Sequence, residues 1–192
     1  AGALAFLLRR HARTGSAAPL EAVAAAMDAM LAGGLHDQLA GGFHRYCVDA
    51  TWTVPHYEKM LYDNAQLLRL AVDAAGLVRL RGGDDALRGT LLSVARDIRA
   101  YLLREMRSPE GFFYSAQDAD SEGEEGRFFV WTAAQIEGLV GPADAEVFCA
   151  IYDVSAEGNF EHGRSVLWTP RPVDRVAAAL GRPVAELVAV AE

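Results

Sequence analysis

Two runs of residues carry most of the chemistry this sequence could perform. His44-Arg45-Tyr46-Cys47-Val48-Asp49 and Val54-Pro55-His56-Tyr57-Glu58-Lys59 bring histidines, acids and bases into one short stretch. Imidazoles beside carboxylates suit proton transfer near neutral pH. His44 and His56 are therefore candidates to move a proton, with Asp49 to orient or assist. A helix starting near His56 would place His56, Lys59 and Asp63 on one stripe and Glu58 on another face. The plain alternative is a solvated stripe in which Lys59 and Asp63 form a surface pair. Trp52 stands close by, and aromatic rings beside ionisable groups are what a pocket for a polar ligand needs. Arg45, Trp52, Glu58, Lys59 and Asp63 are its candidate ligand contacts.

The second run is the acidic loop Gln117 to Gly126. Asp118, Asp120 and Glu122 alternate as in a calcium loop, and Gly123 falls sixth from Asp118. The twelfth position is Phe129 rather than Glu, and a strand-like run follows, so calcium is not expected. With Trp131 and Tyr114 beside them, Asp118 and Asp120 read as acid and base, and Glu122 and Trp131 as sugar-hydroxyl contacts. Glu124 and Glu125 read as an exposed turn. His36, His44 and His56 match no compact metal-ligand spacing, so no metal and no cofactor is expected. On an extended strand Cys47 and His44 point to opposite faces, which argues against a nucleophilic pair. No nucleophile-elbow, phosphate-loop or dinucleotide fingerprint is present.

These residues need elements to hold them. Leu20, Val23, Met27 and Leu31 recur at helical spacing, so the pattern predicts a helix over 19–32, with Gly33-Gly34 as its stop. Helices are also expected over 56–79, 85–106, 132–140, 142–152, 172–181 and 183–191. Phe43–Val48 with Thr51–Val54, and Phe112–Ser115 with Arg127–Thr132, read as short hairpins. A weak repeat links them. Gly42 leads to Asp49 and Gly111 to Asp118 at the same spacing, and each copy reaches a tryptophan, Trp52 or Trp131. A fainter third copy runs from Gly158 to Trp168. Repeated helical pairs bury their apolar faces on their neighbours, which points to an α-solenoid or a closed ring of hairpins.

The 192 residues are 52% hydrophobic and 23% charged, ordinary for a globular chain. A net charge of −8 argues against general binding to nucleic-acid phosphates. No apolar run nears the ~20 residues of a membrane helix. Two cysteines without a CxxC pair read as free thiols of a reducing cytoplasm. The chain opens inside one apolar helical stretch and ends in another, so it reads as a single partial domain, 1–192, cut from a longer protein. Its surest partner is then the rest of its own chain; its oligomeric state is not legible.

Gly41-Gly42-Phe43-His44-Arg45-Tyr46, Asp49 and the run Trp52 to Asn64 closely resemble a family of thioredoxin-domain-containing, or "highly conserved", proteins whose mammalian member is named spermatogenesis-associated. Asp118 to Gly123, Glu125-Gly126, Phe129 to Thr132 and Gly158-Asn159 extend the resemblance over nearly the whole chain. It implies a mainly α fold, part of an (α/α)6 toroid similar to the six-hairpin glycosidases and the N-acylglucosamine 2-epimerases. A thioredoxin-like domain would precede it, outside this chain. Ligand sites in such toroids lie in the central funnel, near the hairpins. Cys47, Tyr57 and Ala40 stand where the family tends to have Ser, Phe and Gly.

Two functions are therefore expected as alternatives. One is a carbohydrate-active enzyme resembling a sugar epimerase or isomerase, using His44, His56, Asp49, Asp118 and Asp120. The other is a non-catalytic ligand- or protein-binding module serving the thioredoxin-like domain. A purely structural role for the polar motifs is the third.

Overall fold

A computed structural model describes residues 1–191. Its helices come as consecutive pairs joined by short turns, as Ala- and Leu-rich amphipathic sequence dictates. The pairs are α1 (Gly2–Thr14) with α2 (Ala18–Ala32), α3 (Leu61–Leu80) with α4 (Asp85–Tyr101), α5 (Ala133–Val140) with α6 (Pro142–Tyr152), and α7 (Val173–Leu180) with α8 (Val184–Ala191). A widened π turn, Leu102–Met106, extends α4. Local signals set most boundaries. Asp84 caps α4 by accepting from the Ala86 N–H, and Thr132 and Gln135 form a capping box on α5. Pro142 opens α6 where its missing N–H has no partner to lose.

The apolar faces build two cores. One joins α1 to α4 around Val23, Met27, Ala71, Val78, Val94 and Ile98. The other joins α5 to α8 around Val147, Ile151, Val176 and Leu187. A small third cluster of Tyr57, Ala119, Val130 and Val166, with Phe129 and Phe160 against it, lies on the segments between successive helix pairs. The Thr169 N–H also donates to the Ala32 carbonyl at 2.7 Å, tying the second half to the end of α2. Among the described residues no helix is long and apolar enough to cross a membrane.

Every sheet is a two-stranded antiparallel pair. β1 (Tyr46–Cys47) pairs with β2 (Pro55–His56), and β3 (Lys59–Met60) with β4 (Ala116–Gln117). β5 (Asp120–Ser121) pairs with β6 (Glu124–Glu125), and β7 (Val130–Trp131) with β8 (Ser165–Val166).

The pairing changes three expectations. The helix expected from 56 begins at Leu61, because 55–60 is extended and is paired at both ends. The stripe of His56, Lys59 and Asp63 does not exist. Segments 112–115 and 127–132 form no hairpin with one another: the strands beside them pair with residues 59–60 and 165–166. The acidic loop is itself a hairpin, turned by Glu122 and Gly123 with φ of 55° and 80°. Two consecutive left-handed residues make the tight turn whose twist matches its strands.

Candidate functional site

The extended run 55–60 sorts its side chains by alternation. Pro55, Tyr57 and Lys59 are buried while His56, Glu58 and Met60 are half-exposed, the period-two pattern of a strand with one inner face. Lys59 is fully buried. Its Nζ donates to Asp37 Oδ2 at 2.6 Å and to the Gly41 carbonyl at 2.9 Å. It also lies 4.5 Å from the centre of the Tyr101 ring and 5.2 Å from that of Phe129, where ring quadrupoles favour a cation. Asp37 accepts from the Leu39 and Ala40 amides as well. Burial would raise the Asp37 carboxyl, but the Lys59 charge and these hydrogen bonds overcome it and hold it below its usual range. Burial pushes Lys59 the other way, below the ordinary lysine value, against the pull of Asp37. Beside this pair, Asn64 is fully buried; it accepts from the Phe43 N–H at 2.8 Å and donates to the Phe43 and Met60 carbonyls. Lys59 and Asn64 thus fasten the 37–43 loop to the start of α3.

Next to this pair is a cavity of about 330 Å³, whose walls include His36, Asp37, His44, Tyr57, Arg104, Phe128, Phe129 and Trp131. His44 is 3% exposed. Its Nδ1–H donates to the Tyr57 carbonyl at 2.9 Å, which leaves Nε2 as an acceptor. Phe129 and Tyr57 meet its ring edge-on. Burial, reinforced by the Lys59 charge, pushes its pKa down to about 3, so the imidazole is neutral at physiological pH. The Tyr57 hydroxyl is buried and has no hydrogen-bond partner. Leaving such a group unpaired costs about 1–3 kcal/mol. Burial also raises its pKa well above the ordinary phenol value. His36 faces the same cavity, with Nε2 3.1 Å from Asp97 Oδ2. Burial would raise the Asp97 carboxyl, but the His36 hydrogen bond and charge and the Gly42 amide keep it low. An ionised carboxylate only accepts, so His36 Nε2 carries the proton.

Of the residues expected at a site, His44 and Trp131 line this cavity and Lys59 lies just behind it. His56 is on the other face of its strand, with Nδ1 2.6 Å from Glu125 and Nε2 3.8 Å from Glu58. Arg45 pairs with Glu58 there at 2.8 Å, and the Tyr46 ring stacks on His56. Asp49 accepts from the Thr51, Thr53 and Val54 amides, which fixes the turn between β1 and β2. Trp52 sits in that turn at φ 64°, its carbonyl taking the Gly34 N–H. Asp118 is exposed and accepts from the Asp120 amide; Asp120 is exposed on β5, and Glu122 pairs with Arg127. Arg45, Asp49, Trp52 and Asp63 do meet at a second cavity of about 530 Å³, against the start of α1. Burial raises the Asp63 carboxyl there. The structure therefore does not bring His44, His56 and Asp118 to one cavity. Sequence reasoning missed Asp37, Tyr57, Asp97 and Arg104, and saw His36 only as a metal candidate. The strand-like alternation of 55–60 was the signal for Tyr57.

No protein-family model matches the chain. It is 34% identical over 179 residues to spermatogenesis-associated protein 20 of Mus musculus, covering 81% of this chain and 22% of the mouse protein. The Homo sapiens protein of that name is 41% identical over 117 residues, covering 58% of this chain and 14% of its own length. An uncharacterised protein of Caenorhabditis elegans is 34% identical over 146 residues, or 69% of this chain and 19% of that protein. The chain thus spans about a fifth of the length of the curated relatives it matches.

Proposed function

We propose that this chain is part of the helical toroid of a protein of the spermatogenesis-associated, thioredoxin-domain-containing family, and that its 330 Å³ cavity binds a small hydroxyl-rich ligand, a sugar. One observation carries the ligand: a neutral His44, whose Nε2 is left as an acceptor, lines a cavity with the rings of Tyr57, Phe128, Phe129 and Trp131. Sugars offer alternating hydroxyl and C–H faces, which such a mixture of rings and hydrogen-bonding groups complements. The volume is in the range of small-ligand sites. Similarity to the mammalian proteins supports the family, and the paired helices support a ring of hairpins. The remainder of the full-length chain would complete that ring.

Saturation-transfer NMR of the full-length protein against hexoses and N-acetylhexosamines tests the reading. His44→Phe and Trp131→Ala should each weaken the signal of any bound sugar about 5- to 50-fold, the loss of one hydrogen bond or one ring face. No binding across the panel, or binding unchanged in both variants, would remove the cavity from consideration. Whether the site turns a sugar over, as an epimerase or isomerase does, or only holds it is read from the same samples over time.

A further inference from the structure

We propose that the ligand of this cavity is an amino sugar with its amine free and protonated, and that Gln38, His44 and His36 receive the ammonium. The assignment rests on the sugar-binding reading above and names the class of sugar.

The three side chains line the cavity and share one feature. Each has an N–H tied to the protein and a lone pair left over. The Gln38 amide nitrogen donates to the Leu31 and Gly33 carbonyls at 2.8 and 3.0 Å. Two acceptors on that nitrogen fix which way the amide points, and Oε1 has no partner among the described residues. His44 gives its Nδ1–H to the Tyr57 carbonyl and keeps the Nε2 lone pair. His36 gives its Nε2–H to Asp97 at 3.1 Å, which puts the lone pair of the neutral ring on Nδ1. None of these three atoms is sealed from solvent as the Tyr57 hydroxyl is. The donors left at the cavity are the Trp131 indole N–H and Arg104 Nη1, since Arg104 Nε and Nη2 go to Glu105 and the Ala40 carbonyl. A hydroxyl both gives and accepts, so sugar hydroxyls fit either set. An ammonium only donates, and three acceptors match its three N–H bonds.

Charge points the same way. Asp37, Asp97 and Glu105 stand against Lys59 and Arg104, three carboxylates to two cations, and His44 is neutral. A guest carrying one positive charge balances that set, and Coulombic attraction gains strength where water is displaced. The rings of Tyr57, Phe128, Phe129 and Trp131 line the same space, and ring faces attract an ammonium. Lys59 is held next door by the same kinds of group: a carboxylate, a carbonyl and two rings. Acylating the sugar amine would remove its charge and leave one neutral N–H for three acceptors.

The test titrates the full-length protein with glucosamine, galactosamine, glucose and N-acetylglucosamine, followed by saturation-transfer NMR at about pH 7, where an ordinary imidazole is mostly neutral. One of the two hexosamines should bind at least about tenfold more tightly than glucose or N-acetylglucosamine, because hydrogen bonds from a charged donor are roughly twice as strong as neutral ones. Gln38→Met removes one acceptor and should cut that preference about fivefold or more, with glucose affinity kept within about threefold. Retained glucose binding also shows that the variant folds. Equal affinity for hexosamine and hexose, or a preference for N-acetylglucosamine, overturns this inference and leaves the sugar cavity standing. A preference unchanged in Gln38→Met overturns the placement of the ammonium on Gln38, as does loss of all sugar binding there, which marks a structural role. A wild type that binds none of the four sugars overturns the cavity reading with it.

Discussion

Lys59→Met should be among the most damaging single changes in this chain. The ammonium is fully buried, and its carboxylate partner Asp37 is 9% exposed at 2.6 Å. Removing one member of a buried pair strands the other charge and costs about 3–5 kcal/mol. The Gly41 carbonyl also loses its Lys59 donor, adding about 1 kcal/mol or more. Asp37 keeps the Leu39 and Ala40 amides, which places the expected total near 4 kcal/mol. Asp37→Asn keeps an acceptor for those amides but leaves the ammonium unpaired, for roughly 3 kcal/mol. If the costs were independent, the double variant would lose about 7 kcal/mol. The pair reading predicts about 3–4, because neither stranded charge is left, and so a coupling of about 3 kcal/mol. Urea unfolding of the four proteins, followed by far-ultraviolet circular dichroism, measures this through midpoint shifts at constant slope. A coupling under about 0.5 kcal/mol would refute the claim that these two side chains act as one unit.

Three further changes probe the same region. Asn64→Ala removes both partners of the Phe43 backbone and should cost about 2–4 kcal/mol in urea unfolding; a loss under about 0.5 kcal/mol would show the bonds to be dispensable. Gly126→Ala puts a methyl into the Tyr57 ring at a φ of 74°, so it should destabilise by more than the ~1–2 kcal/mol of a left-handed alanine, with the Tyr57 fluorescence environment altered; wild-type stability would contradict that packing. His44 binds a proton in the folded chain only near pH 3, against 6.5 ordinarily, so the unfolded chain protonates first as the pH falls. Stability at that site is complete above about 6.5 and should decline below it by up to ~1.4 kcal/mol per pH unit. His44→Gln should lose that part of the acid slope between pH 6.5 and 4, and an identical slope in both proteins would rule out a neutral buried imidazole.

The helical character, the pairing of helices and most of their ends were legible in the sequence, because apolar spacing, capping residues and prolines act within a few residues of themselves. The helix expected over 142–152 follows from Pro142 at its first turn, and the stop expected at Gly33-Gly34 from the glycine that closes α2. The importance of 41–64 was legible too, through its density of unusual residues and its resemblance to a family. The division of labour within it was not. Asp49, expected at a site, holds a turn, and Lys59, expected as a ligand contact, is a buried pin.

What the sequence alone determined is therefore a mainly helical chain whose polar residues gather in the segments between helix pairs. What the tertiary structure decided is which of them meet. Lys59 finds Asp37 across 22 positions, His36 finds Asp97 across 61, and β3 finds β4 across the whole of α3 and α4. Periodicity reports only what neighbours along the chain do. Residues 55–60 carry too few side chains for the two-residue period to outweigh the helix that follows. Only pairing with distant strands holds that run extended, turning Tyr57 and Lys59 inward and His56 outward.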